Sequence, residues 1–234
     1  MLNKIDKSGF TLAEVLLTLS IIGIVTAMTI PSLINSTNKM ENVVALKKTY
    51  STLMQATLMI TADNGGDIVS ALSGVATSED LANVFIPKLN VAKNCGTASA
   101  KATGCFPDLT YKMIDGITDW ANLSSAVGRS SILTNDGMSY WFALYSASCA
   151  THKSDPSEDT ASPLYNTCGL IYIDVNGPNK GPAIVGRDLF CFILTLKGLY
   201  PFGAYPYIGV PSDCIGTNGS ACTNKVLMES AMSY

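Results

Sequence analysis

The longest apolar run of the chain lies close to its N-terminus and contains a single charge. It extends over residues 10–34, and Glu14 is its one ionisable residue. At about 1.5 Å per residue, a helix of this length measures roughly 37 Å, enough to cross a hydrocarbon core of about 30 Å. The leader before it carries two lysines against one aspartate, so the positive-inside preference keeps the leader cytoplasmic. The pattern predicts a transmembrane helix over 10–34 and an exported remainder.

A secretory signal peptide or a plain membrane anchor would each explain the apolar run, but neither explains Glu14. The apolar region of a signal peptide is about 7–15 residues long and ends at a small-x-small site. Here the run is longer, and the nearest such site is Ala27-Met28-Thr29. A carboxylate inside a bilayer costs roughly 2.5–3.5 kcal/mol and is functional by default. We therefore expect a partner for Glu14, and the segment itself supplies none.

Six residues at the start of the run resemble a known signal. They are Gly9-Phe10-Thr11-Leu12-Ala13-Glu14, with a short basic leader before them and a long apolar stretch after them. Glycine, then phenylalanine, then glutamate at the fifth position from Phe10 resembles the class III signal of type IV pilins and type II secretion pseudopilins. The resemblance covers residues 1–60, and beyond them it is one of architecture.

The resemblance implies roles for particular residues. A prepilin peptidase would cut between Gly9 and Phe10 on the cytoplasmic side, release the leader 1–9 and methylate the new amino group of Phe10. Glu14 would then pair with that charged amine on a neighbouring subunit, because two charges that are each costly in lipid offset one another. Pro31 lies where this family commonly has a proline, which removes a backbone donor and loosens the helix.

The resemblance also implies partners and a location. The partners are prepilin peptidase, other pilin or pseudopilin subunits, the membrane and the inner-membrane assembly platform. The chain would cross the inner membrane once, with its head in the periplasm or outside the cell in a filament. Pilus and secretion filaments share the signal, so the choice between them stays open.

Beyond residue 34 the helix is expected to continue as an amphipathic segment over 35–62. Gly65 and Gly66 supply a stop signal, so the sequence predicts one helix over 10–62. Apolar positions at spacings of three and four form one stripe that would pack on the head domain. They are Val43, Leu46, Tyr50, Leu53, Thr57 and Ile60.

The remaining residues, 66–234, are rich in turns and predict an exported head of mostly β-structure. One short helix is expected over 78–85, capped by Ser78. Strands are expected at 131–134, 138–145, 169–175 and 189–196. The predicted fold class is therefore α+β: a long N-terminal helix packed on an antiparallel sheet of about four strands, as in pilins.

Seven cysteines lie in the head at positions 95, 105, 149, 168, 191, 214 and 222. Export makes disulfides the default interpretation. Three intervals enclose loops rich in Gly, Ser or Pro, which favours the local pairs Cys95–Cys105, Cys149–Cys168 and Cys214–Cys222, with Cys191 as a buried thiol in an apolar strand. Zinc is disfavoured because the closest cysteines are eight positions apart and His152 is the only histidine.

No catalytic motif is visible in the sequence, and His152 lies in a polar loop where a solvated role is expected. We therefore expect no enzyme and no required cofactor. One cluster, Asp174, Asn176, Asn179 and Asp188, contains hard oxygen ligands that could hold calcium. It departs from the EF-hand pattern, and its alternative is a rigid turn, because Asp, Asn, Gly and Pro favour turns on backbone grounds.

A binding module is the alternative function: a minor pilin whose head is an adhesin or takes up DNA. The net charge is −3 and becomes −4 once two lysines and one aspartate leave with the leader, so no nucleic acid is expected, apart from a local patch at Lys88, Lys93 and Lys101. The aromatic loop, defined as Tyr200, Phe202, Tyr205 and Tyr207, could present rings to a ligand or pack over the sheet edge.

Overall fold

The structure is a computed structural model that describes residues 9, 11–97, 104–121, 123, 128–153, 160–207, 214 and 219–234. Phe10 and Lys101 lie outside the described residues. The chain forms two compact units, Met1–Met40 and Glu41–Tyr234. Helix α1 (Leu12–Asp63), with 52 residues, contributes to both.

In the first unit, α1 exposes apolar side chains around its circumference. In the described part of the chain, α1 is the one helix long and apolar enough to cross a membrane, and none of its most apolar stretch is buried. Its hydroxyl side chains donate to carbonyls three or four residues earlier; Thr26, for example, donates to the Ile22 carbonyl over 2.6 Å. Backbonding of this kind satisfies polar groups without water and suits a helix surrounded by lipid.

Within the described residues, the second unit contains the C-terminal part of α1, three further helices and eight strands. The helices are α2 (Ile68–Ala71), α3 (Ser78–Phe85) and α4 (Cys222–Glu229). The strands are β1 (Val91–Gly96), β2 (Tyr111–Lys112), β3 (Asp119–Ala121), β4 (Ser130–Thr134), β5 (Ser139–Leu144), β6 (Thr167–Asp174), β7 (Leu189–Thr195) and β8 (Gly198–Pro201). Short 3₁₀ turns occupy Ile86–Lys88 and Pro163–Tyr165.

The main sheet has six antiparallel strands in the order β1-β4-β5-β6-β7-β8, and β2 pairs with β3 in a separate two-stranded ribbon. The sequence predicts the four inner strands, and their observed bounds differ from the predicted ones by at most two residues. The two edge strands, β1 and β8, were not expected, so the prediction of about four strands was too low. The α+β class is confirmed: a long N-terminal helix and an antiparallel sheet.

The sheet buries both faces, because strand residues alternate between them. In β7, Phe190, Phe192 and Leu194 pack with the α1 side of the core. Leu189, Cys191 and Ile193 pack on the opposite side. Every residue of β6 and β7 is buried, which explains why these two strands read as continuous apolar runs in the sequence.

From Asn42 to Tyr50, helix α1 follows β7 in the same direction. The Asn42 side chain contacts Asp188 just before β7 begins, and the Tyr50 ring lies flat against Phe192, 5.6 Å between centroids at an interplanar angle of 7°. Eight helical residues rise about 12 Å, and four strand residues rise about 13 Å. Helix and strand therefore stay in step over this distance.

The cap of α3 is one residue earlier than the sequence indicated. Thr77, not Ser78, is the N-cap, and it forms a capping box with Asp80. Ser78 is the first helical residue, and its hydroxyl accepts a 3.1 Å hydrogen bond from the backbone N–H of Leu144 in β5. The serine is thus used to attach the helix to the sheet. Thr77 could take its place as the cap because threonine accepts the same bond.

Candidate functional site

Hydrogen bonds between Thr11 and Glu14 cap the N-terminus of α1. Glu14 Oε2 accepts hydrogen bonds of 2.8 Å from the backbone N–H and from the hydroxyl of Thr11. In return, the Glu14 backbone N–H donates to Thr11 Oγ1 over 3.2 Å. This reciprocal pair is a capping box, in which a threonine and a glutamate three residues later satisfy free donors of the first turn.

The capping box holds the Glu14 carboxylate at the positive end of the helix dipole, where an anion is stabilised. Both bonds from Thr11 reach Oε2, and among the described residues no hydrogen bond reaches Oε1. The carboxylate can therefore accept from a further cationic group without releasing Thr11. Gly9 is exposed, and a Cβ at its position would meet nothing within 4 Å.

Pro31 lies inside α1. Because proline has no backbone N–H, it cannot donate to the carbonyl of Ala27, and one bond of the helical ladder is missing there. The helix nevertheless continues to Asp63. The expectation that Pro31 loosens the helix stays a prediction.

Six cysteines form three disulfides in the head. Cys95 pairs with Cys105, Cys149 with Cys168 and Cys214 with Cys222. These are the pairs that the loop pattern of the sequence favours. Cys191 is a buried free thiol in β7, and desolvation raises its pKa far above the ordinary value of a thiol. A thiol of that kind is inert under ordinary conditions.

Asp174, at the end of β6, is fully buried. Its Oδ1 accepts hydrogen bonds from the backbone N–H groups of Asn176 and Gly177, at 2.8 Å and 3.1 Å. Its Oδ2 accepts from the hydroxyl of Tyr111. Desolvation raises the pKa of Asp174 to about 7, although these hydrogen bonds oppose the rise, and the nearby Asp188 adds to it.

Asp188, which directly precedes β7, is the second buried carboxylate. Its Oδ1 accepts from the side-chain amides of Asn42 and Asn176, at 3.1 Å and 3.0 Å, and its Oδ2 accepts from the backbone N–H of Ile184. Burial also raises the pKa of Asp188. Asn176 thus bridges the two carboxylates, with its backbone on one and its amide on the other.

This arrangement brings together three of the four residues expected to hold calcium. Asp174, Asn176 and Asp188 lie in one network, whereas Asn179 is exposed in the following loop. In the network the carboxylate oxygens face N–H and O–H donors. Within the described residues, no cluster of three or more His, Cys, Asp or Glu is placed to hold a metal ion. The geometry is that of a buried hydrogen-bond network, and calcium binding stays a prediction.

Two members of this network, Asn42 and Tyr111, were missed by the sequence interpretation. Asn42 follows the helical stripe, since it lies four residues before Leu46, and its burial could have been found from that period. Tyr111 belongs to the two-residue strand β2. No local pattern distinguishes its buried hydroxyl from an exposed one.

The aromatic loop divides between the core and the surface. Phe202 is buried and packs on Tyr207, with 4.7 Å between ring centroids. Tyr200 and Tyr205 pack edge to face at 5.6 Å, and Tyr205 remains 39% exposed. Half of the loop therefore packs inward, which favours the edge-packing interpretation for Phe202 and Tyr207.

Of the three lysines in the basic patch considered for nucleic acid, Lys88 and Lys93 lie within the described residues, and both have interaction partners. Lys88 forms a 2.6 Å ion pair with Asp63, and Lys93 also has an interaction partner. His152, in a polar loop, is exposed and stacks on Tyr165 with 4.0 Å between ring centroids. This placement agrees with the solvated role expected for it.

Together these features define a class of protein: an α+β chain in which a helix long and apolar enough to cross a membrane, with a capped carboxylate in its first turn, precedes a disulfide-bonded antiparallel head. Residues 5–30 match the family model of the prokaryotic N-terminal methylation motif. This match supports assigning the chain to the type IV pilins and pseudopilins, as a pilin-type substrate of prepilin peptidase that assembles with other pilins. Neither the curated proteins nor the solved structures contain a significant match.

Proposed function

We propose that the chain is a structural subunit that polymerises through α1 into a type II secretion or type IV pilus filament. Prepilin peptidase cuts between Gly9 and Phe10 on the cytoplasmic side and methylates the new amine of Phe10. The chain then crosses the inner membrane once, with its head in the periplasm or, after assembly, in the filament. The role is structural, with no reaction of its own.

The observation that carries this proposal is the methylation motif placed at the start of a helix that is apolar on every side. A soluble protein would bury part of such a surface, since each large apolar side chain gains about 1.5–3 kcal/mol on leaving water. Here Leu16, Leu19 and Ile22 are each more than half exposed. Lipid before assembly and neighbouring helices after it are environments that satisfy this surface.

Glu14 supplies the specificity of the proposed assembly. A filament core built only from apolar helices has no fixed register, whereas a charge pair in an apolar setting has one favourable position. Cleavage creates the positive amine at Phe10, and Oε1 of Glu14, which accepts no hydrogen bond from the described residues, can accept from that amine on a neighbouring subunit. The leader would therefore prevent assembly for as long as it remains attached.

The three disulfides support export of the head. Disulfides persist in oxidising compartments such as the periplasm and are rare in the cytosol. The alternative, a minor pilin whose head binds a surface or DNA, gains less support from the geometry. Phe202 and Tyr207 pack inward, and Lys88 is paired.

Intact-mass spectrometry tests the proposal directly. In cells with an active prepilin peptidase, the mature protein should lack residues 1–9 and carry one added methyl group on Phe10. The Gly9→Leu variant should keep its leader, because the peptidase needs a small residue at the cut. A wild-type protein that keeps its Met1 end in those cells would refute the proposal.

A further inference from the structure

The turn between β2 and β3 contains an isoleucine whose side chain is exposed to water. Ile117 is 80% exposed, yet its turn is rigid, because Asp115 Oδ1 accepts from the backbone N–H groups of Ile117 and Thr118 at 2.8 Å and 2.9 Å. Asp115 Oδ2 accepts from the Thr118 hydroxyl at 2.6 Å. We call Ile117 with its neighbour Asp119 the knob. Burying a large aliphatic side chain gains about 1.5–3 kcal/mol of free energy, and a rigid turn that exposes the side chain does not gain it.

A groove of about 300 Å³ lies elsewhere on the same unit, between α1 and the β7–β8 hairpin. One wall is formed by the α1 side chains of Tyr50, Met54 and Leu58, and the other by Leu196, Leu199 and Tyr200. Leu58 is 63% exposed and Leu196 is 40% exposed. The groove is therefore open to solvent, is lined by apolar side chains together with Thr57, Thr61 and Lys197, and has a size that admits an isoleucine side chain.

The knob and the groove lie at opposite ends of β7. The β2–β3 ribbon is attached near the start of β7, since the Lys112 backbone N–H donates to the Ala183 carbonyl over 2.9 Å. The groove includes residues just after the end of β7. From Asp188 to Leu196 a strand rises about 26 Å, which separates the two surfaces.

Charge is complementary between the two surfaces. The knob has Asp119, whose side chain is 66% exposed and forms an ion pair with Lys112. The groove has the exposed Lys197 on its rim, between Leu196 and Gly198, where its ammonium group donates a 2.9 Å hydrogen bond to the uncharged Ala161 carbonyl. Opposite charges beside matched apolar surfaces set orientation and register more than they add affinity.

We propose that the knob of one copy of this chain docks in the groove of a second copy, with Asp119 facing Lys197. The two surfaces differ and lie at opposite ends, so the contact is heterologous, the kind that builds a filament when its rotation does not close into a ring. This contact rests on the proposed filament function. It identifies the two surfaces through which the heads of neighbouring subunits would meet. A membrane surface is a less favourable partner for the knob than a second copy, because anionic headgroups repel the carboxylates on both sides of Ile117.

Photocrosslinking in the full-length chain tests the contact. Benzoylphenylalanine replaces Ile117 in cells that contain the prepilin peptidase and the assembly machinery, and irradiation should yield an adduct of two copies. Peptide mapping should place the link within residues 50–58 or 196–200. The matched control places the same probe at Met228, which is 78% exposed on α4, and should give no such adduct.

Charge reversal adds a second readout. Lys197→Glu should lower the adduct yield about tenfold, and adding Asp119→Lys should restore most of it. Cleavage at Gly9 and filament recovery are measured in the same cells. Filaments without the mapped adduct, or a link to lipid or to another protein, overturn the contact and leave the filament function intact. An uncleaved chain without filaments overturns both.

Discussion

The side-chain amide of Asn42 donates a 3.1 Å hydrogen bond to the buried carboxylate of Asp188, and a 3.0 Å bond to the carbonyl of Arg187. One polar residue of α1 thus reaches into the loop before β7. Around it the helix contributes apolar side chains to the core, so this contact adds directionality to an otherwise non-directional interface.

Asn42→Ala should lower the free energy of unfolding of the head by about 1.5–3 kcal/mol, because it removes a hydrogen bond to a buried carboxylate. Urea unfolding of the full chain in detergent, followed by tryptophan fluorescence, measures this, since Trp120 and Trp141 both lie in the head. Ser51→Ala, on the exposed side of the same helix, is the control and should change little. Equal stability of the two variants would contradict the role of Asn42.

The stability of the head should fall as the pH rises from about 4 to about 7. The pKa of Asp174 is raised to about 7 by desolvation and by Asp188, whereas in the unfolded chain it is about 3.9. Across this window the native state holds a proton that the unfolded state releases, so the folded form is favoured at the acid end. The contribution is a few kcal/mol, lost as Asp174 ionises.

Urea unfolding at pH 5 and at pH 8 measures this slope. Asp174→Asn should reduce this slope, because the amide does not titrate. If Asp174→Asn keeps the full slope, another group carries the pH dependence.

Variants of Thr11 and Glu14 separate the effect of the helix cap from the effect of the carboxylate charge. Thr11→Ala breaks the capping box but keeps the carboxylate, so we expect normal processing and normal incorporation into filaments. Glu14→Gln can still cap the helix but has no charge for the Phe10 amine, so we expect processing with strongly reduced incorporation. The amount of each variant in sheared filaments, relative to the cell, is the measurement. The opposite ranking would show that Glu14 acts through the cap.

Removing the Cys149–Cys168 disulfide with a double serine substitution should destabilise the head by about 3 kcal/mol. The cysteines are 19 residues apart, compared with 8 for Cys214–Cys222. A longer closed loop restricts the unfolded chain more, so the double serine variant at 214 and 222 should lose less stability. Urea midpoints of the oxidised proteins compare the two, and equal losses would argue against the loop-entropy explanation.

Gly177→Ala should be far more damaging than Gly65→Ala. Both glycines have positive φ, 70° and 77°, but a Cβ at Gly177 would lie 1.9 Å from the carbonyl oxygen of Gly137, whereas at Gly65 nothing lies within 4 Å. We expect a loss above about 3 kcal/mol for Gly177→Ala, and about 1–2 kcal/mol for Gly65→Ala, which has only the backbone strain. Thermal unfolding of both variants measures the difference, and similar melting temperatures would contradict the clash.

Long periodic or apolar segments were predictable from the sequence. The bounds 78–85 of α3 are those observed, since an acidic first turn and a following proline mark both ends. The inner strands β6 and β7 were predictable because burial on both faces makes them continuous apolar runs. The methylation motif was recognisable because its residues act through chemistry at fixed spacing and not through packing.

The edge strands were not predictable by the same signals. β1 exposes Ala92, Lys93 and Asn94 and has two register shifts, so neither alternation nor an apolar run marks it. β8 has four residues and begins with glycine and ends with proline, which the sequence indicates as a turn. Such features protect a sheet edge from pairing with other chains. They also remove the sequence pattern from which a strand is predicted. The Asp174 network depends on contacts 63 and 146 residues apart in sequence, which no local pattern contains.

The parallel course of α1 and β7 has a mechanical consequence. Asn42 is held by Asp188 and Tyr50 by Phe192, so a shift of the helix by one turn, about 5.4 Å, would break both contacts at once. Tension along the helix is therefore shared with the sheet from residue 42 onwards.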